Sequence, residues 1–207
     1  MLTGWSSYLT LNDPDRRNAL SDALLDQLGE TLAARGVRHR GQGHRADVVT
    51  PAGLLFGRQS RRVRRRSRDD REVRRGWRVS ALYRTLTGIG KPVVCAASGD
   101  VLAGALGIAM ACDLVIAKES IRLGCPEINV GAFPFMISAL IFRATGRLVA
   151  NETDDDRSTI QRDTRPPPWV WSTRWSPTPS SMTLSRQWVA DIAGKSPLLR
   201  WVWASGR

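Results

Sequence analysis

The chain has 207 residues and carries 31 Lys+Arg against 19 Asp+Glu, a formal net charge of +12. This length predicts one domain with room for a buried core. Residues 35–78 alone hold 15 Arg, no Lys and 4 acids, or +11, so the remainder is near neutral and a basic footprint spread over the whole surface is excluded.

In chain order, a strand is predicted around Tyr8–Leu11, followed by a turn at Asn12-Asp13-Pro14-Asp15 and a helix. Ser21 is a good N-cap for that helix, and Leu24, Leu25, Leu28 and Leu32 form an apolar stripe on one face. Residues 35–78 show neither a helical nor a strand period. The run Arg61-Arg62-Val63-Arg64-Arg65-Arg66 would repel itself, and the block is expected to be disordered or out of frame. Globular texture returns over residues 79–150. A helix is predicted through Ala81–Thr87, a buried strand at Val93–Ala97, a loop after Gly99, a small-residue helix about Ala105–Cys112 and a strand at Leu114–Ala117. Strand, glycine turn, helix and strand in this order point to an α/β layered fold. Residues 151–187 lose the pattern again, because Pro166-Pro167-Pro168, Pro177 and Pro179 exclude regular helix or central strand. Trp188–Leu199 reads briefly as helix before a Trp-rich tail.

Three cysteines, Cys95, Cys112 and Cys125, lack CxxC spacing and an even count. This argues against a zinc site and a disulfide framework, for a reducing compartment, and for small apolar core residues. The longest uninterrupted apolar piece, Val101 to Cys112, is 12 residues, short of the ~20 that span a bilayer. The N-terminus has no signal-peptide pattern, so a soluble cytoplasmic protein is expected. The two histidines, His39 and His44, sit in the arginine block with no orienting partner visible, which leaves a His-assisted nucleophile weakly supported.

Four segments together resemble the enoyl-CoA hydratase/isomerase (crotonase) family. Leu11-Asn12-Asp13-Pro14-Asp15-Arg16-Arg17-Asn18-Ala19-Leu20 is similar to its opening strand and turn. Lys91-Pro92-Val93-Val94-Cys95-Ala96-Ala97-Ser98-Gly99 is similar to its K-P-V-I-A-A-V-N-G strand. Ala103-Gly104-Ala105-Leu106-Gly107, leading to Ala111-Cys112-Asp113-Leu114, is similar to its A-G-G-G-x-E…A-C-D-L segment. Gly124-Cys125-Pro126-Glu127-Ile128-Asn129-Val130-Gly131 is similar to its G-x-P-E-x-x-x-G loop. Order and spacing carry the match over about half of the chain.

The resemblance implies an α/β fold of the crotonase-like (ClpP/crotonase) type, a spiral of ββα repeats. It also implies chemistry on a coenzyme A thioester, with negative charge growing on the thioester oxygen. Backbone N–H groups must already face that oxygen, and losing one such donor costs roughly 10²–10³ in rate. Gly104 matches one donor, at a helix start where glycine allows close approach and the helix terminus favours an anion. A tight strand-to-helix turn explains the same glycine, and the two readings are compatible.

Glu127 matches an acid/base residue that moves protons beside the carbonyl. Its plain alternative is a surface-loop glutamate. Ala103 and Pro126 flank these two positions and would contact substrate. Arg16 and Arg17 would touch the phosphates or adenine of coenzyme A, or else form a solvated turn. Hydratases of the family carry a second glutamate where Gly107 stands, so a single-base isomerisation or a divergent acyl-CoA reaction is as open as hydration. No metal and no cofactor is implied beyond the thioester substrate, and the family's homotrimers or hexamers would be the assembly.

The family's other donor lies in an A-F-x-x-G-x-D segment, expected between residues 45 and 65, and it is absent as translated. Shifting the codons of residues 53–60 by one base permits A-F-C-S-G-A-N. The same shift over residues 153–157 permits L-M-M-T-G, and a two-base shift from Pro168 through Pro179 permits L-G-L-V-N-x-V-V-P-D-A. On this reading residues 1–150 hold the crotonase-like core, and 151–207 hold a degraded C-terminal helical and trimerisation region. Two alternatives follow: a catalytically impaired, pseudogene-like product, or a basic nucleic-acid-binding protein acting through the arginine block. The second lacks a recognition motif, so no specific nucleic acid and no membrane is expected as partner.

Overall fold

The computed structural model describes residues 6–37, 46–51, 70–89, 92–118, 121–127, 133–145 and 173–176, with Thr183, Arg186, Gln187 and Ala190. The strand β1 (Ser6–Leu11) leads through a 3-10 turn at Pro14–Arg16 into α1 (Asp22–Val37). β2 (Ala46–Pro51), α2 (Asp70–Gly88) and β3 (Val93–Ala97) follow. Next come β4 (Val101–Leu102), α3 (Gly104–Ala111), β5 (Leu114–Lys118) and β6 (Leu123–Gly124). The described chain closes with α4 (Phe135–Thr145) and β7 (Thr173–Ser176).

Five strands form one sheet in the order β1-β2-β3-β5-β7, and every neighbouring pair is parallel. β4 and β6 form a second, two-stranded parallel sheet. Parallel sheets are covered on both faces, and β3 shows the consequence: all five of its residues are buried. The helices pack in sequence, α1 on α2, α2 on α3 and α3 on α4. Leu25, Leu28 and Leu32 of α1 enter one core with Val79, Leu82, Tyr83 and Leu86 of α2, Leu106 and Ile108 of α3, and Ile137 and Ile141 of α4. Spacings of three and four residues put the α1, α2 and α4 sets each on a single helical face, whereas α3 is buried nearly all round.

The Ser21 cap forms as expected, its Oγ accepting from the Leu24 N–H at 3.2 Å. Asp113 joins two strand starts of the main sheet: its Oδ2 accepts from the Val93 N–H at 2.7 Å, and its own N–H donates to the Val93 carbonyl at 2.9 Å. Asp100 does the same for the small sheet, accepting from the Arg122 N–H at 2.8 Å and from its Nε at 2.9 Å. Among the described residues no helix is long and apolar enough to cross a membrane.

Three expectations need correction. The arginine block is not uniformly without structure, since β2 lies within it and α2 starts at Asp70 rather than at Ala81. The early turns of α2 hide their period because Val73, Arg74, Trp77 and Arg78 face solvent. The proline-rich stretch holds a short edge strand, which the exclusion of helix and central strand allows: β7 pairs with β5 at the sheet edge, and Pro168 and Pro177 lie outside its four residues. The loop expected after Gly99 includes β4. Residues 38–45 and 52–69, with His39, His44 and the frame-shift window at 53–60, lie outside the described residues, as does most of 151–207, with the expected helix at Trp188–Leu199 largely among it.

Candidate active site

The small parallel sheet builds the site. Its register pairs Val101 with Leu123 and Leu102 with Gly124, so the two strands end side by side. Ala103-Gly104 leaves one strand and Cys125-Pro126-Glu127 leaves the other, from the same end. One further backbone bond, from the Ala103 N–H to the Gly124 carbonyl at 2.9 Å, extends the pairing past the last ladder residues. Two sequence segments more than twenty positions apart are thereby delivered to one place.

Ala103 takes φ 55 and ψ −132, in the left-handed half of the backbone map that L-residues avoid. That turn reverses the chain from β4 into α3, and Leu106 N–H closes it by donating to the Ala103 carbonyl at 2.8 Å. The amides of Gly104 and Ala105 then stand in the first turn of α3, where N–H groups have no acceptor within the helix. A Cβ at Gly104 would come 3.1 Å from Leu20 Cδ1 and 3.8 Å from Tyr83 Oη, so the glycine lies between the N-terminal turn and α2.

Tyr83 is the hub of this region. It is 4% exposed, and its Oη donates to the Gly104 carbonyl at 2.7 Å. Burial pushes its pKa well above the ordinary 10.0, and the nearby charges of Glu127 and Cys125 push it further, so the phenol keeps its proton. Glu127 is half-buried with its Oε2 shielded from solvent, Pro126 is half-buried, and Cys125 is buried. A Cβ at Gly107 would overlap the Oη and Cζ of Tyr83.

Hydrogen bonds close the N-terminal turn. Asn18, buried at 5% exposure, accepts from the Asp13 N–H through Oδ1 and donates its own N–H to the Asp13 carbonyl at 2.7 Å. Arg16 and Arg17 stand exposed on this turn, Arg17 with φ 52. The Leu20 carbonyl accepts from Arg75 Nη2 at 2.6 Å, which ties the turn to α2. Of the residues singled out in the sequence, Ala103, Gly104, Pro126 and Glu127 come together, and Arg16 and Arg17 lie on the neighbouring turn. Tyr83 was not among them. It and Gly107 lie on different helices, so no spacing in the sequence joins them. None of the three cysteines forms a disulfide.

The parallel sheet, its covering helices and the small second sheet define an α/β protein of the crotonase fold. An enoyl-CoA hydratase structure from Bacillus anthracis superposes with a TM-score of 0.81 at 19% identity, covering 96% of this chain and 76% of its own. One from Mycobacterium smegmatis gives 0.78 at 21%, with the same coverage. The chain belongs to the enoyl-CoA hydratase/isomerase family, whose profile matches residues 7–154. A Thermus thermophilus protein bearing the enoyl-CoA hydratase name is 32% identical over 158 residues, 72% of this chain and 59% of its own. The 2,3-dehydroadipyl-CoA hydratase of Escherichia coli is 32% identical over 126 residues, 61% of this chain and 48% of its own. The chain thus spans about half the length of the curated relatives it matches.

Proposed function

We propose that the protein acts on an acyl-CoA thioester, moving a proton at a carbon beside the carbonyl while the Gly104 amide receives the charge on the thioester oxygen. The observation that carries this reading is the shared exit of Ala103-Gly104 and Cys125-Pro126-Glu127 from one end of the β4–β6 sheet. An N–H at a helix start favours a developing anion in a site shielded from water. Glu127, with its Oε2 out of solvent, is the base and then the acid. Ala103 and Pro126 line the two flanks. Arg16 and Arg17, exposed four and three residues before Leu20, would meet the phosphates of coenzyme A.

Gly107 supplies no second carboxylate, so proton transfer, as in double-bond isomerisation, is favoured over addition of water. The proposal includes no resident metal or cofactor, places the protein in the cytoplasm, and takes the family's homotrimer or hexamer as its assembly. The test is α-proton exchange: a saturated acyl-CoA incubated with the protein in D₂O gains deuterium, read by mass spectrometry. Glu127→Gln lowers that rate by about 10²–10⁴ while coenzyme A binding persists. Hydration of a 2-enoyl-CoA with no exchange in the saturated thioester would reverse the preference.

A second reading has its own observation. The sequence lacks the A-F-x-x-G-x-D segment that would bring a second oxyanion donor. A product with one donor turns over slowly, and the nucleotide sequence across codons 35–78 and 151–187, read in three frames, separates a recording slip from a decayed gene.

A further inference from the structure

We propose that Tyr83 is a positioning residue for the oxyanion turn, seated on Gly107 and holding the first peptide of α3 through the Gly104 carbonyl. This rests on the reading of the Gly104 amide as the donor to the thioester oxygen.

The backbone at Gly104 is pinned on both sides. Before it, the Ala103 N–H is bonded to the Gly124 carbonyl at 2.9 Å. After it, the Gly104 carbonyl accepts from Tyr83 Oη at 2.7 Å. Between the two pins sits the left-handed Ala103, a conformation that persists only when its surroundings over-determine it. A helix-start carbonyl already accepts from the N–H four residues on, so the phenol is a second donor whose office is orientation. Because burial holds Tyr83 protonated, that donor is present at every pH at which the protein would work.

Gly107 explains how the phenol reaches this place. Any side chain there would collide with the Tyr83 ring, and the collision involves Oη, the atom that makes the bond to Gly104, and the Cζ that carries it. The ring belongs to the buried face of α2, in one core with Leu82 and Leu86, so it cannot admit that side chain and keep its bond to Gly104. Position 107 can therefore carry either a side chain or the Tyr83 lock. A glutamate at 107 would displace the lock, which links the absence of a second carboxylate to the presence of the tyrosine.

The test uses the full chain and two coenzyme A conjugates. One is a neutral thioether, and the other carries an acidic nitro-carbon that ionises to a nitronate, a stable stand-in for the enolate. Tyr83→Phe keeps the ring and removes the bond. It is expected to weaken the nitronate conjugate about tenfold or more and to leave the thioether Kd within twofold. Gly107→Ala, which pushes the ring off its seat, is expected to give the same selective loss, and thermal unfolding confirms that both variants fold. A purely packing role would change both conjugates alike, and that result, or no change in either, overturns the proposal while leaving the acyl-CoA reading intact. Failure of both conjugates to bind the unaltered protein overturns that reading, and this proposal with it.

Discussion

Tyr83 gives the protein an alkaline limit whose sign can be derived. In the unfolded chain the phenol titrates near 10.0, whereas the folded state holds its proton well above that value, chiefly through burial. Above pH 10 the unfolded chain therefore releases a proton that the folded chain retains, and stability falls as pH rises. The slope is ~1.4 kcal/mol per pH unit until the folded phenol also titrates, and below pH 10 the contribution is fully present. Urea unfolding between pH 8 and 11 should show this decline in the parent and a flatter curve in Tyr83→Phe. Ala103 gives a second prediction at the same scale. A β-branched side chain at φ 55 meets severe steric conflict, so Ala103→Val should lower stability by about 2 kcal/mol and weaken binding of the nitronate conjugate. Ala103→Gly, which can adopt that conformation freely, should retain binding.

At the level of elements, two polar contacts invite comparison, and their magnitudes separate them. Arg78 lies 3.5 Å from Asp26 and 3.7 Å from Asp22, linking α2 to α1, but all three side chains are largely in water. Exposed pairs of this kind contribute about 0–1 kcal/mol, so Arg78→Ala should leave the urea midpoint nearly unchanged. The Asp113 contact is different, because it satisfies the backbone N–H of Val93, a residue with no exposed surface. Asp113→Ala strands that donor and should cost about 1–3 kcal/mol in the same assay. Elements with one dominant signal were legible in the sequence: β3 as a wholly apolar run bounded by Pro92 and Gly99, and α1 by its leucine stripe and Ser21 cap. α4 was not, because Phe135, Met136 and Phe142 are exposed while Ile137 and Ile141 are buried, so apolar residues occupy both faces and erase the period. β4 and β6 have two residues each, too few to show alternation, although they bring the Gly104 and Glu127 segments side by side.

Across the whole molecule, the excess of charge is concentrated in one stretch of the sequence, and this asymmetry yields a kinetic prediction. The core draws on Leu11, α1, the buried face of α2, β3 and the segments that follow it, while the excess of +11 lies in residues 35–78. Gly104 and Glu127 could be singled out because glycine, proline and acid fall in a fixed local order that resembles the family's, whereas the two short strands that carry them could not. The seat of Tyr83 on Gly107 was not, since contact between α2 and α3 is a property of packing. The arginine block reaches the site through α2: Arg75 bonds the Leu20 carbonyl, and Leu20 lies against Gly104. On the acyl-CoA reading the substrate is a polyanion, and a net charge of +12 would raise its encounter rate through a field that salt screens beyond roughly 8–10 Å. Raising ionic strength from about 0.05 to 0.3 M should therefore increase KM for an acyl-CoA several-fold with kcat unchanged, because screening acts on the approach of the polyanion and not on the proton transfer at Glu127. Mixed-sequence RNA should compete at low salt, show no sequence preference and lose its effect over the same range, as counterion release requires. A sequence-specific, salt-resistant RNA affinity would instead make the arginine block a binding module in its own right, and a fall in kcat with salt would place screened charges inside the site.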